Sequence, residues 1–331
     1  MTRVAINGFG RIGRNFFRAY LERHPGFEIV AVNDLGDPKT MAHLLAHDSV
    51  LGPLSEQVSA DGETIVVGER RLRALSIPDP AALPWRELEI DVVVESTGRF
   101  EHRDKAQLHL DAGARSVLVS AVANDADVMI VLGVNDDAYD PTRHRIVSMA
   151  SCTTNCVTPM AKVLHDRFGI ERGFMTTVHA YTATQALLDG PHKDLRRARA
   201  AAINLIPTTT GATRALGTVL PELEGKIDAL AIRAPVPDGS IVDLVAELSR
   251  PVNRDEVNDT FRQAAAAAPL AGILEYSEQP LVSTDILRSP YSCVFDSQLT
   301  MTNERLAKVF GWYDNEWGYS CRLVDLVGRL H

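Results

Sequence analysis

Cysteine is scarce, aromatic side chains make up only 6% of the chain, and no apolar run approaches the roughly 20 residues of a membrane-spanning helix. Four cysteines in 331 residues, Cys152, Cys156, Cys293 and Cys321, are too few for a disulfide-stapled scaffold. They read as core residues, metal ligands or reactive thiols. Positive charge is also in deficit. Lys and Arg number 34 against 43 Asp and Glu, and the resulting net charge of −9 opposes a dedicated nucleic-acid partner. The sequence does not open on a basic segment followed by an apolar stretch, so no secretion signal and no membrane partner are expected, and the cytoplasm is the default location. What is present is a globular composition, 45% apolar and 23% charged. At roughly 150 residues per domain, 331 residues imply two domains.

Short β-branched runs alternate with amphipathic segments from the start: residues 4–7, 11–23, 28–33 and 39–47, then 91–95, 105–112 and 116–120. Such a βαβα series predicts a parallel sheet with right-handed crossovers. Residues 64–67 and 72–75 flank a turn at Gly68 and read as a hairpin insertion. Near residue 150 the pattern changes to longer strand-like segments, 173–180, 229–236, and 298–301 turning at Asn303 into 308–313. These suit a mostly antiparallel sheet with helices on one face, in a second domain of α+β type. Residues 318–330 predict a last amphipathic helix.

Residues 8–13 read GFGRIG between a predicted strand and a predicted helix. Gly8 permits the tight turn, Gly10 lets a pyrophosphate approach the backbone, and Gly13 allows close packing of helix on sheet. The helix amides then face the anion. Asp34 ends the second strand, 21 residues after Gly13, where an acid accepts from ribose hydroxyls. The same charge repels a 2′-phosphate, which favours NAD over NADP.

Residues 148–156 read SMASCTTNC and lead into a helical pattern, so Cys152 falls at a helix start. There the helix dipole and free amides are expected to lower the thiol pKa. Cys156, one turn on, reads as a small buried hydrophobe, and a Cys-x-x-x-Cys spacing without a second pair argues against zinc. Pro159 predicts an interruption of the helix. Among the ten histidines, His43, His47, His102, His109 and His165 fall in polar helical stretches and are expected at the solvated surface. His179 ends a strand in TTVHAYT, where loops and active-site groups begin; partnership with Cys152 and a place in the core both remain open. Residues 192–199 read HKDLRRAR, a solvated helix face or an interface cluster. Thr208, Thr209, Thr210 and Gly211 precede a helical pattern, which is a small phosphate site. Arg233 interrupts an apolar strand and is either paired in the core or aimed at an anion. A dinucleotide site, a thiol and several anion sites together suggest oxidation of a phosphorylated aldehyde.

These motifs make the chain resemble bacterial-type phosphorylating glyceraldehyde-3-phosphate dehydrogenases along essentially its whole length. The resemblance is carried by INGFGRIGRN at 6–15, VNDL at 32–35, ESTGRF at 95–100, ASCTTNC at 150–156, TTVHAYTATQ at 176–185, PHKDLRRARAAA at 191–202, IPTTTGA at 206–212 and WYDNEWGYS at 312–320. It implies a Rossmann-type, mostly parallel sheet domain at 1–150 with 316–331, and a catalytic domain with a mostly antiparallel sheet at 151–315. It further implies Cys152 as nucleophile activated by His179, and NAD held by Gly8, Gly10, Arg11, Ile12, Gly13, Asp34, Thr97 and Ser120, with Asn315 and Tyr319 by the nicotinamide. Thr182 and Arg233 would hold the substrate phosphate. Ser151, Thr153, Arg197, Thr210 and Gly211 would receive inorganic phosphate. The expected activity is oxidation of glyceraldehyde 3-phosphate to 1,3-bisphosphoglycerate through a thiohemiacetal and a thioester, by a homotetramer. Erythrose 4-phosphate as substrate is the nearest alternative, and a nucleotide-binding redox sensor a more distant one.

Several positions depart from the family pattern. Val122 replaces a proline after Ser120 and Ala121, Pro78 stands where many bacterial relatives carry arginine, Leu51 replaces a histidine, and Asp238-Gly239 replaces a common Asn-Val, adding an acid to its loop. Gly36 and Gly190 are smaller than the residues usual in NAD-specific relatives and leave room for NADP, whereas Pro191 matches the NAD pattern.

Overall fold

Local sequence and long-range packing agree best in the first crossover. Strand β1 (Thr2–Asn7) runs through the glycine turn into α1 (Arg11–Arg23), whose inward face carries Phe16, Phe17 and Tyr20. Phe16 and Tyr20 stack on Phe27 at 6.3 and 5.5 Å between ring centroids, a contact in which each buried ring contributes roughly 2 kcal/mol. Strand β2 (Phe27–Asn33) follows, then α2 (Pro38–Ala46), started by Pro38 and capped by Asp37, which accepts the Thr40 amide at 3.0 Å.

The computed structural model describes residues 1–330, and the chain divides into two units. The first holds residues 1–130, 137–150 and the C-terminal segment from 320; the second holds 131–136 and 151–319. In the first, β1 and β2 are joined by β3 (Val58–Asp61), β4 (Thr64–Val67), β5 (Arg70–Leu75), β6 (Val92–Glu95), helix α3 (Arg103–Asp111), β7 (Ser116–Val119), β8 (Val128–Met129) and β9 (Ile146–Ser148). The sheet order is β3-β4-β5-β2-β1-β6-β7-β9-β8, parallel except for the β3-β4 and β4-β5 pairs. The expected hairpin at Gly68 is present as β4 and β5. Strands β3, β8 and β9, of two to four residues, carry too little pattern to be seen in the sequence. Because β1 lies between β2 and β6, the strand order reverses there and leaves a crevice beyond the carboxyl ends of those strands.

The second unit contains α4 (Cys152–Phe168), β10 (Ile170–Ala180), β11 (Ile206–Thr208), α5 (Ala212–Val219), β12 (Ile227–Ala234), β13 (Ser240–Leu248), α6 (Arg254–Ala266), β14 (Leu274–Ser277), β15 (Cys293–Asp296), β16 (Met301–Asn303) and β17 (Leu306–Tyr313). Its sheet order is β11-β12-β10-β13-β17-β15-β14, with β16 on β17. Two pairs are parallel, β10-β12 and β14-β15, and five are antiparallel. Strand β13 alternates buried and half-buried residues, and α4 packs on β13 and β17. Gly311 of β17 permits the closest approach. A Cβ there would meet Met160 Sδ at 2.5 Å and Cys293 Sγ at 2.6 Å. Helix α7 (Trp317–Val327) completes the chain, and from Ser320 on it belongs to the first unit, where Asp325 pairs with Arg23 at 2.6 Å.

Three local expectations are corrected. Helix α4 runs unbroken through Pro159, because a segment clamped against the sheet over most of its length tolerates one lost amide donor. Gln298 is not in a strand: Asp296 caps its amide at 3.1 Å and the chain makes a 3-10 turn, so the strand begins only at Met301. His109 is not at the surface but wholly buried. The polar neighbours in its helix hid the fact that its own side chain turns inward to an acid.

Candidate functional site

Gly8 stands at φ +93°, and a Cβ there would lie 2.6 Å from the Thr97 amide nitrogen, so the turn after β1 closes directly against the backbone after β6. A Cβ at Gly13 would collide with the Gly8 carbonyl oxygen. Gly10 differs: nothing lies within 4 Å of a Cβ built on it, and no side chain caps α1, whose first amides face the crevice. Asp34 and Thr97 line that crevice together with Gly8 and Gly10. The Asp34 carboxylate is oriented by the Phe9 amide at 2.7 Å and the Gly36 amide at 3.3 Å. Arg11 pairs with Asp48, which fixes its side chain beside the helix start. Ile12 is half-buried in the first turn of α1.

Behind this crevice lies a polar network that sequence reasoning missed. Glu95 Oε1 accepts the Thr97 amide at 2.8 Å and hydroxyl at 2.5 Å, and its Oε2 accepts from Asn7 Nδ2 at 2.5 Å and meets His109 Nε2 at 3.1 Å. Trp85 Nε1 donates to His109 Nδ1 at 2.9 Å. An indole only donates, so the His109 proton is on Nε2, facing the acid. Ser120 donates to the Glu95 carbonyl at 2.9 Å. The signal available in the sequence was a Glu at a buried strand end, an unfavourable place for an acid without a partner.

In the second unit Ser151 is the N-cap of α4, accepting the Thr154 amide at 3.1 Å, and Cys152 is the first helical residue. Ala150, just before, holds φ +56°, a left-handed turn that is strained for a residue with a Cβ and aims the chain into α4. Parallel pairing of β10 with β12 sets His179 opposite Arg233. Cys152 Sγ lies 3.4 Å from His179 Nε2, and Arg233 Nη1 lies 2.8 Å from His179 Nδ1. The ring of Tyr313 stands edge-on to the imidazole at 5.8 Å, and its hydroxyl meets those of Thr153 and Thr177, each at 2.8 Å.

The expected lowering of the Cys152 thiol is not the net outcome for the group taken singly. Burial pushes it up to about 11, against the pull of the Arg233 charge and the Thr153 amide. Burial, with Arg233 second, pushes His179 down to about 3. Each group alone is therefore neutral, and they can charge only as a pair, by passing the proton from Sγ to Nε2. His179 Nδ1 meets a contradictory pair of neighbours, the Arg233 donor and, at 2.7 Å, the Ala180 carbonyl acceptor. While Arg233 donates, the imidazole proton must sit on Nε2.

The hydroxyl-rich expectations are placed as follows. Arg197 Nε donates to Thr208 Oγ1 at 2.8 Å, and its charge helps to hold Arg233 below the usual guanidinium range, after burial. Thr210 accepts the Ala212 amide at 3.2 Å, and Gly211, the uncapped N-cap of α5, has nothing within 4 Å of a built Cβ. Thr182 bonds Thr184 at 2.9 Å. Arg233 Nε is buried without a partner among the described residues, a cation with capacity to spare. Asn315 accepts from Ser240 Oγ at 2.7 Å, and Tyr319 is 4% exposed. The described helices include none long and apolar enough to cross a membrane.

A parallel sheet with a glycine crevice at its switch point, and a mixed sheet carrying a thiol against an imidazole, define a nicotinamide-nucleotide-dependent oxidoreductase. The family model for the glyceraldehyde 3-phosphate dehydrogenase NAD binding domain matches residues 2–103, and the model for that family's C-terminal domain matches 151–315. The chain belongs to the glyceraldehyde 3-phosphate dehydrogenase family. Similar curated proteins, each a glyceraldehyde-3-phosphate dehydrogenase, are those of Streptomyces coelicolor, 59% identical over 98% of this chain and 97% of the relative, and Kitasatospora aureofaciens, 59% over 100% and 99%. That of Mycobacterium avium is 58% identical over 99% and 98%.

Proposed function

We propose that the chain oxidises D-glyceraldehyde 3-phosphate to 1,3-bisphosphoglycerate, reducing NAD and taking up inorganic phosphate. The observation that carries this reading is the 3.4 Å approach of the Cys152 thiol to His179 at a helix start, with Arg233 on the other imidazole nitrogen. Gly8, Gly10, Arg11, Ile12, Gly13, Asp34, Thr97 and Ser120 hold the cofactor, and Asn315 and Tyr319 contact its nicotinamide. The uncovered face of Gly10 and the helix start that no side chain caps fit a pyrophosphate, and the oriented Asp34 carboxylate fits a ribose diol.

Thr182 and Arg233 bind the substrate phosphate. As Arg233 turns to that anion it releases His179 Nδ1, whose proton then satisfies the Ala180 carbonyl, and Nε2 becomes free to accept a proton. His179 Nε2 takes the thiol proton as Cys152 Sγ adds to the aldehyde carbon; the amides at the start of α4 stabilise the oxyanion, which the imidazolium then protonates. His179 Nε2 takes the hydroxyl proton of the thiohemiacetal. Bound NAD supplies the acceptor for the hydride that leaves the same carbon. The thioester that remains on Cys152 is attacked by inorganic phosphate, bound by Ser151, Thr153, Arg197, Thr210 and Gly211, and the C–S bond breaks to return the thiol and release the acyl phosphate. The hydroxyl of Thr153 also meets that of Tyr313 at 2.8 Å, and its amide is a second group that serves an anion.

The protein acts as a cytoplasmic homotetramer. Phe174 and Val178 of β10 and Leu230 of β12 share one uncovered sheet face, and Leu187, Leu188, Leu195, Ile203 and Leu205 are exposed in the segment that follows, an apolar surface suited to other copies of the chain. The test of the activity is absorbance at the nicotinamide band with glyceraldehyde 3-phosphate or erythrose 4-phosphate, NAD or NADP, and with or without phosphate. Fast, phosphate-dependent turnover with the triose and NAD is expected. Turnover that ignores phosphate would overturn the acyl-phosphate route, and faster turnover of the tetrose would reassign the substrate.

A further inference from the structure

Asp238, between β12 and β13, is a buried acid that no base answers among the described residues; it is 2% exposed. Its Oδ1 accepts the Gly239 amide at 2.8 Å. Among the described residues no N–H or hydroxyl donor reaches Oδ2, which is also buried. The group within hydrogen-bonding reach is the carboxyl of Asp314, itself 1% exposed. Asp314 is well supplied with donors: the amides of Trp317 at 2.6 Å and Glu316 at 2.9 Å on Oδ1, and that of Arg288 at 2.8 Å on Oδ2. Two buried carboxyls in contact do not both ionise. Three amides against one settle the sharing: the anion is Asp314 and the proton stays on Asp238.

We propose that Asp238 is a protonated positioning residue, whose O–H donates to the Asp314 carboxylate and pins the 238–240 turn to the 314–316 turn that presents Asn315. A second bond joins the same two turns, since Ser240 Oγ donates to Asn315 Oδ1 at 2.7 Å while accepting the Ala180 amide at 3.0 Å. Gly239, at φ +83°, lies so close to the Ser283 carbonyl that a Cβ would collide with it, which packs the turn against that backbone. The acid at this position therefore brings no negative charge to its loop at neutral pH. Only the catalytic consequence rests on reading Asn315 as a nicotinamide contact; the shared proton does not.

Burial first, then the charges of Asp314 and Glu316 on the turn after β17, push Asp238 up to about 9. Cys152 at the start of α4 also feels the Asp238 charge, and Arg288 offers the pair its backbone amide while its guanidinium lies 5.3 Å over the Trp317 ring. In the unfolded chain an aspartate titrates near about 3.9. The folded protein thus keeps a proton that the unfolded chain has lost. The contribution to stability is complete below about pH 4 and falls steadily until about pH 9.

Asp238→Asn tests this, because its amide can still donate to Asp314 and accept from Gly239 but cannot ionise. The infrared spectrum of the wild type at neutral pH is expected to hold a protonated-carboxyl band that shifts in D2O and is lost in Asp238→Asn. The unfolding midpoint of Asp238→Asn should rise relative to wild type, by a gap that widens between about pH 6 and 9. The KM for NAD should climb several-fold toward pH 9 in the wild type and stay flat in Asp238→Asn, while Asp238→Leu raises it at every pH. An unchanged carboxyl band, or stability curves that run parallel, would overturn the proposal. Neither readout passes through turnover, so an inactive wild type would count against the proposed function and not against the shared proton.

Discussion

Two histidines are buried to almost the same degree, His109 at 0% and His179 at 4% exposure, and their surroundings are opposite in kind. His109 has complementary neighbours: an indole donor on Nδ1 and an acid acceptor on Nε2. A single tautomer satisfies both, so nothing is left for it to do but hold Glu95, and through Glu95 the Thr97 backbone. His179 has a donor and an acceptor competing for one nitrogen and a thiol on the other. Burial alone therefore does not distinguish a structural histidine from a reactive one; unresolved hydrogen bonding does.

The largest test of this contrast is His179→Asn. It should lower kcat by about 10²–10⁴-fold, the usual reach of a positioned acid–base group, with an unfolding midpoint close to that of wild type. Rapid turnover in that variant would remove His179 from the chemistry. His109→Leu should show the reverse pattern. It leaves the Trp85 indole without an acceptor and takes one of several donors from the buried Glu95 carboxyl, which costs about 2 kcal/mol of stability in urea unfolding, while kcat per folded molecule changes little. If kcat collapsed with stability intact, the two histidines would have to exchange roles. The smallest effect is spectroscopic. With ¹⁵N-labelled histidine, His109 should show a proton on Nε2 whether or not phosphate is added. The His179 signals should move on adding phosphate at a concentration high enough to occupy the substrate-phosphate site as well, as Arg233 turns to the anion and the proton passes to Nδ1. Identical His179 spectra with and without phosphate would end the tautomer argument.

How legible each part was follows from the range of the forces involved. Residues 11–23 are a helix in both readings, since amphipathic spacing and the glycines before it are local properties. Cys152 at a helix start was legible too, through the helical pattern that follows it. The partners of Cys152 were not. His179 meets the thiol, and Arg233 meets His179, only because β10 and β12 pair in one particular register, and register is a property of the whole sheet. Strands of two to four residues at the edges escaped for the same reason: their neighbours make them strands. The polar helix around His109 pointed to solvent, and only its long-range partners Trp85 and Glu95 reveal the burial.

The sequence by itself determined the glycine turn after β1, the acid that follows β2 and the helix that begins at Cys152, because each depends on backbone freedom or capping within a few residues. Only the tertiary structure decided which charges survive: it raised the thiol, lowered the imidazole and gave Asp238 a carboxylate for a neighbour. The physical reason is that protonation responds to desolvation and to charges brought close by folding, and neither is set by residues adjacent along the chain.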